Sequence, residues 1–239
     1  MNTTKHVIKT ALLLLGLASQ PVFAKPHGHF VFEAGGFSAR EGKAQDIGII
    51  DLIGNRFTLD HHDSQNFILG LGYFFDGVHR RRFNLTYGIN AFYLAQTFVE
   101  GNVIQEQLFT NLSYRYALTH FPIYAAAKAL INTSRDCALT FDLGIGPNII
   151  HTSHFNERPL PDSDAIPDHA FSGRTSAAFS ATAGIGIKFN NALGRLPFEV
   201  GYRFFYLGQS RLEKTNNQLT STLKTGNNYA NALIFSVSM

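Results

Sequence analysis

The feature that most constrains this chain is a two-residue alternation of large apolar with small or polar side chains, which returns along its length in segments of about ten residues. In Asn66 to Asp76, one face carries Phe67, Leu69, Leu71, Tyr73 and Phe75, and the other carries Ile68, Gly70, Gly72, Phe74 and Asp76. Phe83 to Ala95 sets Phe83, Leu85, Tyr87, Ile89, Ala91 and Tyr93 against Asn84, Thr86, Gly88 and Asn90. The same alternation runs through Leu139 to Ile149, Phe179 to Asn190, Phe198 to Tyr206 and Leu233 to Met239. A period of two places successive side chains on opposite faces of an extended strand, so the chain is all-β.

The second face separates two all-β solutions. A soluble sandwich buries its apolar face against another sheet and turns the other face to water, where Lys, Glu and Thr belong. Here the second face is mostly Gly, Ala, Ser, Thr and Asn. Such residues suit the crowded interior of a narrow closed barrel, whose apolar outside meets lipid and which leaves no unpaired edge. Gly28 to Ser38 supplies a first strand, with Phe30, Phe32 and Ala34 set against Val31, Glu33 and Gly35. Between Gln105 and Ile131, Phe121 to Ile131 is expected to cross the membrane and Leu108 to Tyr116 to project beyond it as an extension of the same strand. The expectation is an eight-stranded antiparallel up-and-down transmembrane β-barrel of the outer-membrane type. Its short turns are Gly77 to Arg82, Asn132 to Asp136 and Asn191 to Pro197. Its long loops are Ala39 to Gln65, Gln96 to Gln107, His151 to Arg174 and Gln209 to Asn228. The third, rich in Pro, Asp, His and Ser, reads as a mobile surface loop.

The start of the chain reads as an export signal: Lys5 and Lys9, an apolar run from Val7 to Ala18, then Pro21-Val22-Phe23-Ala24. Cleavage after Ala24 would leave Lys25 to Met239 as a single domain, exported to the outer membrane. Losing Lys5 and Lys9 lowers the formal charge from +3 to +1, so charge points to no polyanionic partner and the reading includes no nucleic acid. No apolar run of about 18 residues follows, which excludes a helical membrane protein. Cys137 is the only cysteine, so no disulfide can form within the chain.

With eight strands, short turns and long loops, the chain resembles the small outer-membrane β-barrel family that includes the OmpA barrel domain, OmpX, OmpW and the opacity-type surface antigens. The likeness is carried by FDLGIGPNI, TAGIGIKF, FEVGYRFFYLGQS and the closing NYANALIFSVSM. The last resembles the C-terminal signal read by the barrel-assembly machinery, with Met239 standing where an aromatic residue is usual. The resemblance implies a monomer surrounded by outer-membrane lipid and lipopolysaccharide. It would have a structural or surface role in which host or envelope ligands are met at the loops. A narrow passive pore for small, even hydrophobic, solutes is the alternative, as the OmpW likeness suggests.

The inward faces place six charges in the lumen: Glu33, Asp142 and Glu199 with Lys128, Lys188 and Arg203. Acids and bases in equal number inside a narrow barrel are expected to pair and plug it, because a buried unpaired charge is costly. No catalytic residue, cofactor or metal site is assigned. His151 and Ser153 share a face at the spacing used by lipid A deacylases of this architecture, and Glu157, Asp162 or Asp164 would be needed to orient the imidazole. His154 stands where that family's motif has Asn, which makes hydrolysis a remote alternative. His61, His62 and Asp63, or His27 with His29, carry ordinary metal ligands, but adjacent residues on a strand point oppositely, so neither set alone forms a closed site. Arg80-Arg81-Arg82 reads as a solvated turn, with an acidic lipid or another anionic periplasmic partner as the alternative, and the glycines of the strands form no phosphate loop.

Overall fold

The structure is a computed structural model that describes residues 28–60, 63–134, 136–161, 163–193 and 196–239. The segment expected to be an export signal, His27, His61, His62 and Asp162 lie outside the described residues. Eight long strands form the wall: β1 (Gly28–Arg40), β2 (Asp63–His79), β3 (Phe83–Gln105), β4 (Phe109–Asn132), β5 (Cys137–Pro159), β6 (Arg174–Leu193), β7 (Leu196–Gly208) and β8 (Asn228–Ser238). Each pairs antiparallel with its sequence neighbour, and β1 pairs with β8 from Val31↔Ser238 to Arg40↔Tyr229, so the sheet closes on itself. Closure satisfies every edge, the condition for crossing lipid with strands.

The alternation sorts residues across this wall. Phe30, Phe32, Phe67, Leu69, Leu71, Tyr87, Ile89, Leu143, Ile145, Ile185, Ile187, Leu233 and Phe235 are all exposed on the outside. A belt of this size cannot face water, and it is what makes the barrel transmembrane. The inner face mixes small and polar residues with buried aromatics such as Phe74, Phe92 and Phe205, and interior glycines sit where these side chains press in. A Cβ on Gly70 would lie 2.7 Å from the Phe92 ring and 2.8 Å from Glu33 Oε2.

Strands β3, β4 and β5 run far beyond this belt, so Leu108 to Tyr116 belongs mostly to the extension of β4, as the sequence suggests. Much of the expected loop Gln96 to Gln107 is strand instead. The β3–β4 connection is a tight turn with φ of 50° at Glu106 and 58° at Gln107, closed by Leu108 N donating to Gln105 O at 3.0 Å. That geometry is the primed turn whose twist matches a hairpin. The third loop is shortened in the same way, since β5 continues to Pro159.

Two bulges reverse the inward parity as the strands leave the belt. Ala95 and Gln96 on β3 are set against a single β4 residue, so the buried set changes from Asn90, Phe92 and Leu94 to Thr97, Val99 and Val103. On β5, His154 takes φ 53°, and inward residues pass from Thr152 to Glu157.

The remaining loops fold over the open end. Gln45–Ile47 pairs with Asn55–Phe57, and Phe57 joins the β3 wall opposite Val103. Phe171–Ser172 pairs with Glu213–Lys214, and single bridges join Ile49 to Leu219 and Arg211 to Lys224. At the end of the third loop, Ala170 and Phe171 are buried in the cap.

Candidate functional site

The lumen is filled in layers. At the level nearest the short turns, Lys128 Nζ donates to Glu199 Oε2 at 2.8 Å and lies 3.4 Å from Asp142 Oδ1. Arg203 reaches Glu33 Oε2 at 3.2 Å and Asp142 Oδ1 at 3.3 Å. Thr140 Oγ1 donates to Glu199 Oε1 at 2.8 Å, and Asn90 Nδ2 to Glu33 Oε2 at 3.3 Å. Register produces this cluster: Lys128 pairs with Asp142, Asp142 with Gly184 and Gly184 with Arg203, which leaves room across a glycine for the guanidinium. Asp142 is shared by both cations, so the charges form one network in place of isolated pairs.

Of the six charges that the sequence aims inward, five meet here. Lys188 is half-buried and makes no ion pair among the described residues. It lines a cavity of about 130 Å³ at the turn end with His29, Asp76 and Glu199.

Next comes an apolar layer. Phe92 packs edge-on to Phe205 at 5.3 Å between ring centroids and 6.2 Å from Tyr124, with Phe37, Ile68, Leu94 and Ile234 around them. The Arg203 guanidinium lies 5.0 Å from the Phe92 ring centroid, so the cation of the lower layer rests against the aromatic layer above it.

A third layer is polar and holds residues that the inward count left out. His120 Nε2 donates to Glu41 Oε1 at 2.6 Å, and Thr97 Oγ1 donates to the other carboxylate oxygen. Asn148 Nδ2 donates to His120 Nδ1 at 3.0 Å and to Leu207 O at 2.8 Å. Because Nδ1 accepts, the ring proton sits on Nε2, facing Glu41. Parity could have found these residues: His120 shares the inward phase of Lys128, and Asn148 that of Asp142. Glu41, in phase with Glu33, fell in the expected first loop.

The cap lies above. Phe57, Tyr114, Tyr116, Leu112, Leu118, Val99, Val103, Ile150, Phe171, Leu212, Leu219 and Leu223 form one buried cluster. Phe57 meets Tyr114 at 5.2 Å and Phe171 at 5.7 Å. Burial raises the hydroxyls of Tyr114 and Tyr116 above the ordinary phenol range, so both stay neutral. Glu157 is buried at the edge of the cap beside Ala170, and loss of solvent raises its carboxyl above the ordinary range.

The remaining candidates do not converge. His151 is exposed on the outer wall, with Nδ1 2.9 Å from Thr175 Oγ1. Ser153 Oγ lies 2.9 Å from His154 Nδ1, its neighbour at the bulge, so Ser153 and His151 have separate partners. Glu157 points into the cap, away from both, and Asp164 is exposed in the third loop. His29 Nδ1 is 3.9 Å from Asp76, Arg80 to Arg82 form the β2–β3 turn, and Cys137 begins β5.

No family model and no curated protein matches the chain. Among solved structures, it is similar to the outer-membrane protease OmpT of Escherichia coli, at 9% identity and TM-score 0.50, over 90% of this chain and 97% of that one. The outer membrane protein OprG of Pseudomonas aeruginosa aligns at 12% identity and TM-score 0.47, covering 90% and 97%. Ail, the attachment invasion locus protein of Yersinia pestis, aligns at 13% identity and TM-score 0.37, covering 89% and 99%. The likeness to OmpT shows a shared barrel fold and nothing of its proteolysis, and the other two carry no further argument.

Proposed function

We propose that this eight-stranded barrel of the outer-membrane type is a closed anchor that conducts no solute and presents its capped loop end to a partner outside the cell or within the envelope. The observation that carries this reading is the filled lumen. An ion-pair layer, an aromatic layer, the Glu41–His120–Asn148 layer and the apolar cap follow one another along the axis. Moving a solute through them would require breaking buried charge pairs and opening a packed core, each a cost of several kcal/mol. The same order of layers argues against the narrow-pore alternative. The separate partners of His151 and Ser153 argue against hydrolysis of lipid A.

In this orientation the short turns and both ends of the barrel domain face the periplasm. The cap carries exposed Ile50, Leu52, Ile53, Leu108 and Phe109 at its tip, the apolar surface available to a partner. Planar bilayer recording tests the reading. The refolded chain is expected to give no discrete conductance steps, whereas reproducible steps of one size would replace the closed anchor with a pore.

A further inference from the structure

Strands β6 and β7 pair from Leu196↔Leu193 up to Tyr206↔Ala181 and no farther. At Gly208, φ is +79° and a Cβ would lie 2.5 Å from Phe179 O, a position that only glycine fills without strain. Beyond it the ladder ends, with Ser210 Oγ still 2.7 Å from Ser176 Oγ, and the chain bridges to Lys224 at Arg211, leaving a cleft of about 480 Å³ between the two arms. Leu212 and Leu223 turn inward to the cap, so Arg211 and Lys224 stand exposed on the outer side. With Arg174 they are the charged residues of the lining, which holds no acid. Arg174 pairs with Glu213 outside the lining, while neither Arg211 nor Lys224 pairs with an acid among the described residues.

The height of the cleft says what it faces. Below it lies a row of aromatics: Phe179 and Tyr206 at 6.5 Å between centroids, then Tyr206 and Tyr229 at 5.6 Å. Such girdles mark the boundary between hydrocarbon and headgroups. The cations therefore sit at headgroup height on the loop side. On the other wall, the comparable cleft is charge-balanced, Asp60 and Glu100 against Arg115 and Arg158.

We infer that the β6–β7 cleft binds the phosphate groups of an outer-leaflet glycolipid through Arg211 and Lys224, with Arg174 at its edge. Unpaired cations beside a girdle complement a phosphorylated headgroup, whose charge-assisted bonds are stronger than neutral ones. The inference rests on the outward orientation of the loop end. Conductance steps would overturn the closed lumen without touching this site, so the two can fail separately.

The test folds the full chain in detergent micelles, verified by heat-shifted gel mobility, and titrates it with bis-phosphorylated lipid A, the same glycolipid without phosphates, and inorganic pyrophosphate. The phosphorylated lipid is expected to bind about tenfold tighter than its dephosphorylated form. That preference is expected to vanish in Arg211→Gln with Lys224→Gln and to survive Arg115→Gln on the other wall. Lys224→Gln alone, a change at one exposed side chain, is expected to weaken it in part and serves if the double variant does not fold. Equal binding of the two lipids, or a preference that survives the double variant, overturns the site. Pyrophosphate binding as tightly as the lipid and lost in the double variant overturns the glycolipid in favour of a soluble phosphate.

Discussion

Strand β3 is solvated in two opposite ways along its length. Within the belt, Ile89 is 63% exposed outside and Asn90 is 2% exposed inside, and beyond the bulge, half-exposed Glu100 and Asn102 face outward while Val99 and Val103 are fully buried. The lower half is apolar outside and encloses an ion-pair layer beneath an aromatic one, because lipid is its outer solvent and the lumen must satisfy its own charges. The upper half follows the rule of soluble proteins, with an apolar core under a polar skin. Arg115 on that skin pairs with Glu100 at 3.1 Å and covers Phe98 at 3.8 Å. One strand serves both solvents because the extra residue at Ala95–Gln96 exchanges its faces, so the bulge marks the membrane boundary more sharply than any change in composition does.

The two halves should fail in different ways. The largest effect is expected from Arg203→Met, which strips the shared cation from Glu33 and Asp142 and leaves both carboxylates buried; removing one partner of a buried pair costs about 3–5 kcal/mol. The urea midpoint of the refolded barrel should fall accordingly, and an unchanged midpoint would show that water reaches this layer. In the upper half, Phe57→Ala empties the space between Tyr114 and Phe171 at a local cost of about 3 kcal/mol. Because the cap lies outside the belt, that loss should appear as faster hydrogen exchange and protease nicking at Ala170–Phe171, with the heat-shifted band of the barrel retained. Loss of that band together with the cap would mean that the halves fold as one unit.

The sequence was most legible where the solvent is lipid. Ten-residue alternation located six of the crossings, the imperfect alternation of Gly28 to Ser38 and an even strand count supplied the other two, and the phase aimed Glu33, Lys128, Asp142, Glu199 and Arg203 inward, because a period of two leaves a charged side chain only one alternative direction. Legibility fell at Ala95–Gln96, where apolar residues pass from the outer to the inner face, so a strand that continues to Gln105 reads as the start of a loop. Glu41 and His120 were missed for a related reason. His120 lies one step past lipid-facing Phe121, and Glu41 follows charged Arg40 well past the apolar outward residues of β1, so outward hydrophobicity no longer reports the phase at either. The cap could not be read at all, since Phe57, Phe171 and Leu219 are distant in sequence and share no periodicity. Lys188 shows the opposite limit: its phase is inward, yet its height leaves it at the turn end, apart from the network.

The smallest expected effect concerns Glu157, the ionisable group that the upper half buries at the edge of its cap. Burial raises its carboxyl above the ordinary range, and nearby Asp168 adds to the rise. Backbone hydrogen bonds from Ala170 and His169, with the charge of His169, oppose it without cancelling it. Oε2 is buried without a hydrogen-bond partner among the described residues. A raised carboxyl is held more firmly as the neutral acid in the folded cap than in the open chain. Its contribution to stability is therefore present in full below the ordinary carboxylate range and is lost as pH rises through the raised value. The cap should thus be better protected at mildly acidic pH than at neutrality, while the ion-pair layer in the lower half, shielded by lipid and by the layers above it, should not follow this trend. Glu157→Gln keeps the shape and removes the titration. Hydrogen exchange at Ala170–Phe171, corrected for the intrinsic pH dependence of exchange, should become flat with pH in this variant and slower than wild type at neutrality. A slope that persists in Glu157→Gln would assign the pH response to another group, with Asp168 the first to replace, and would remove Glu157 from the account of why the upper half opens before the lower.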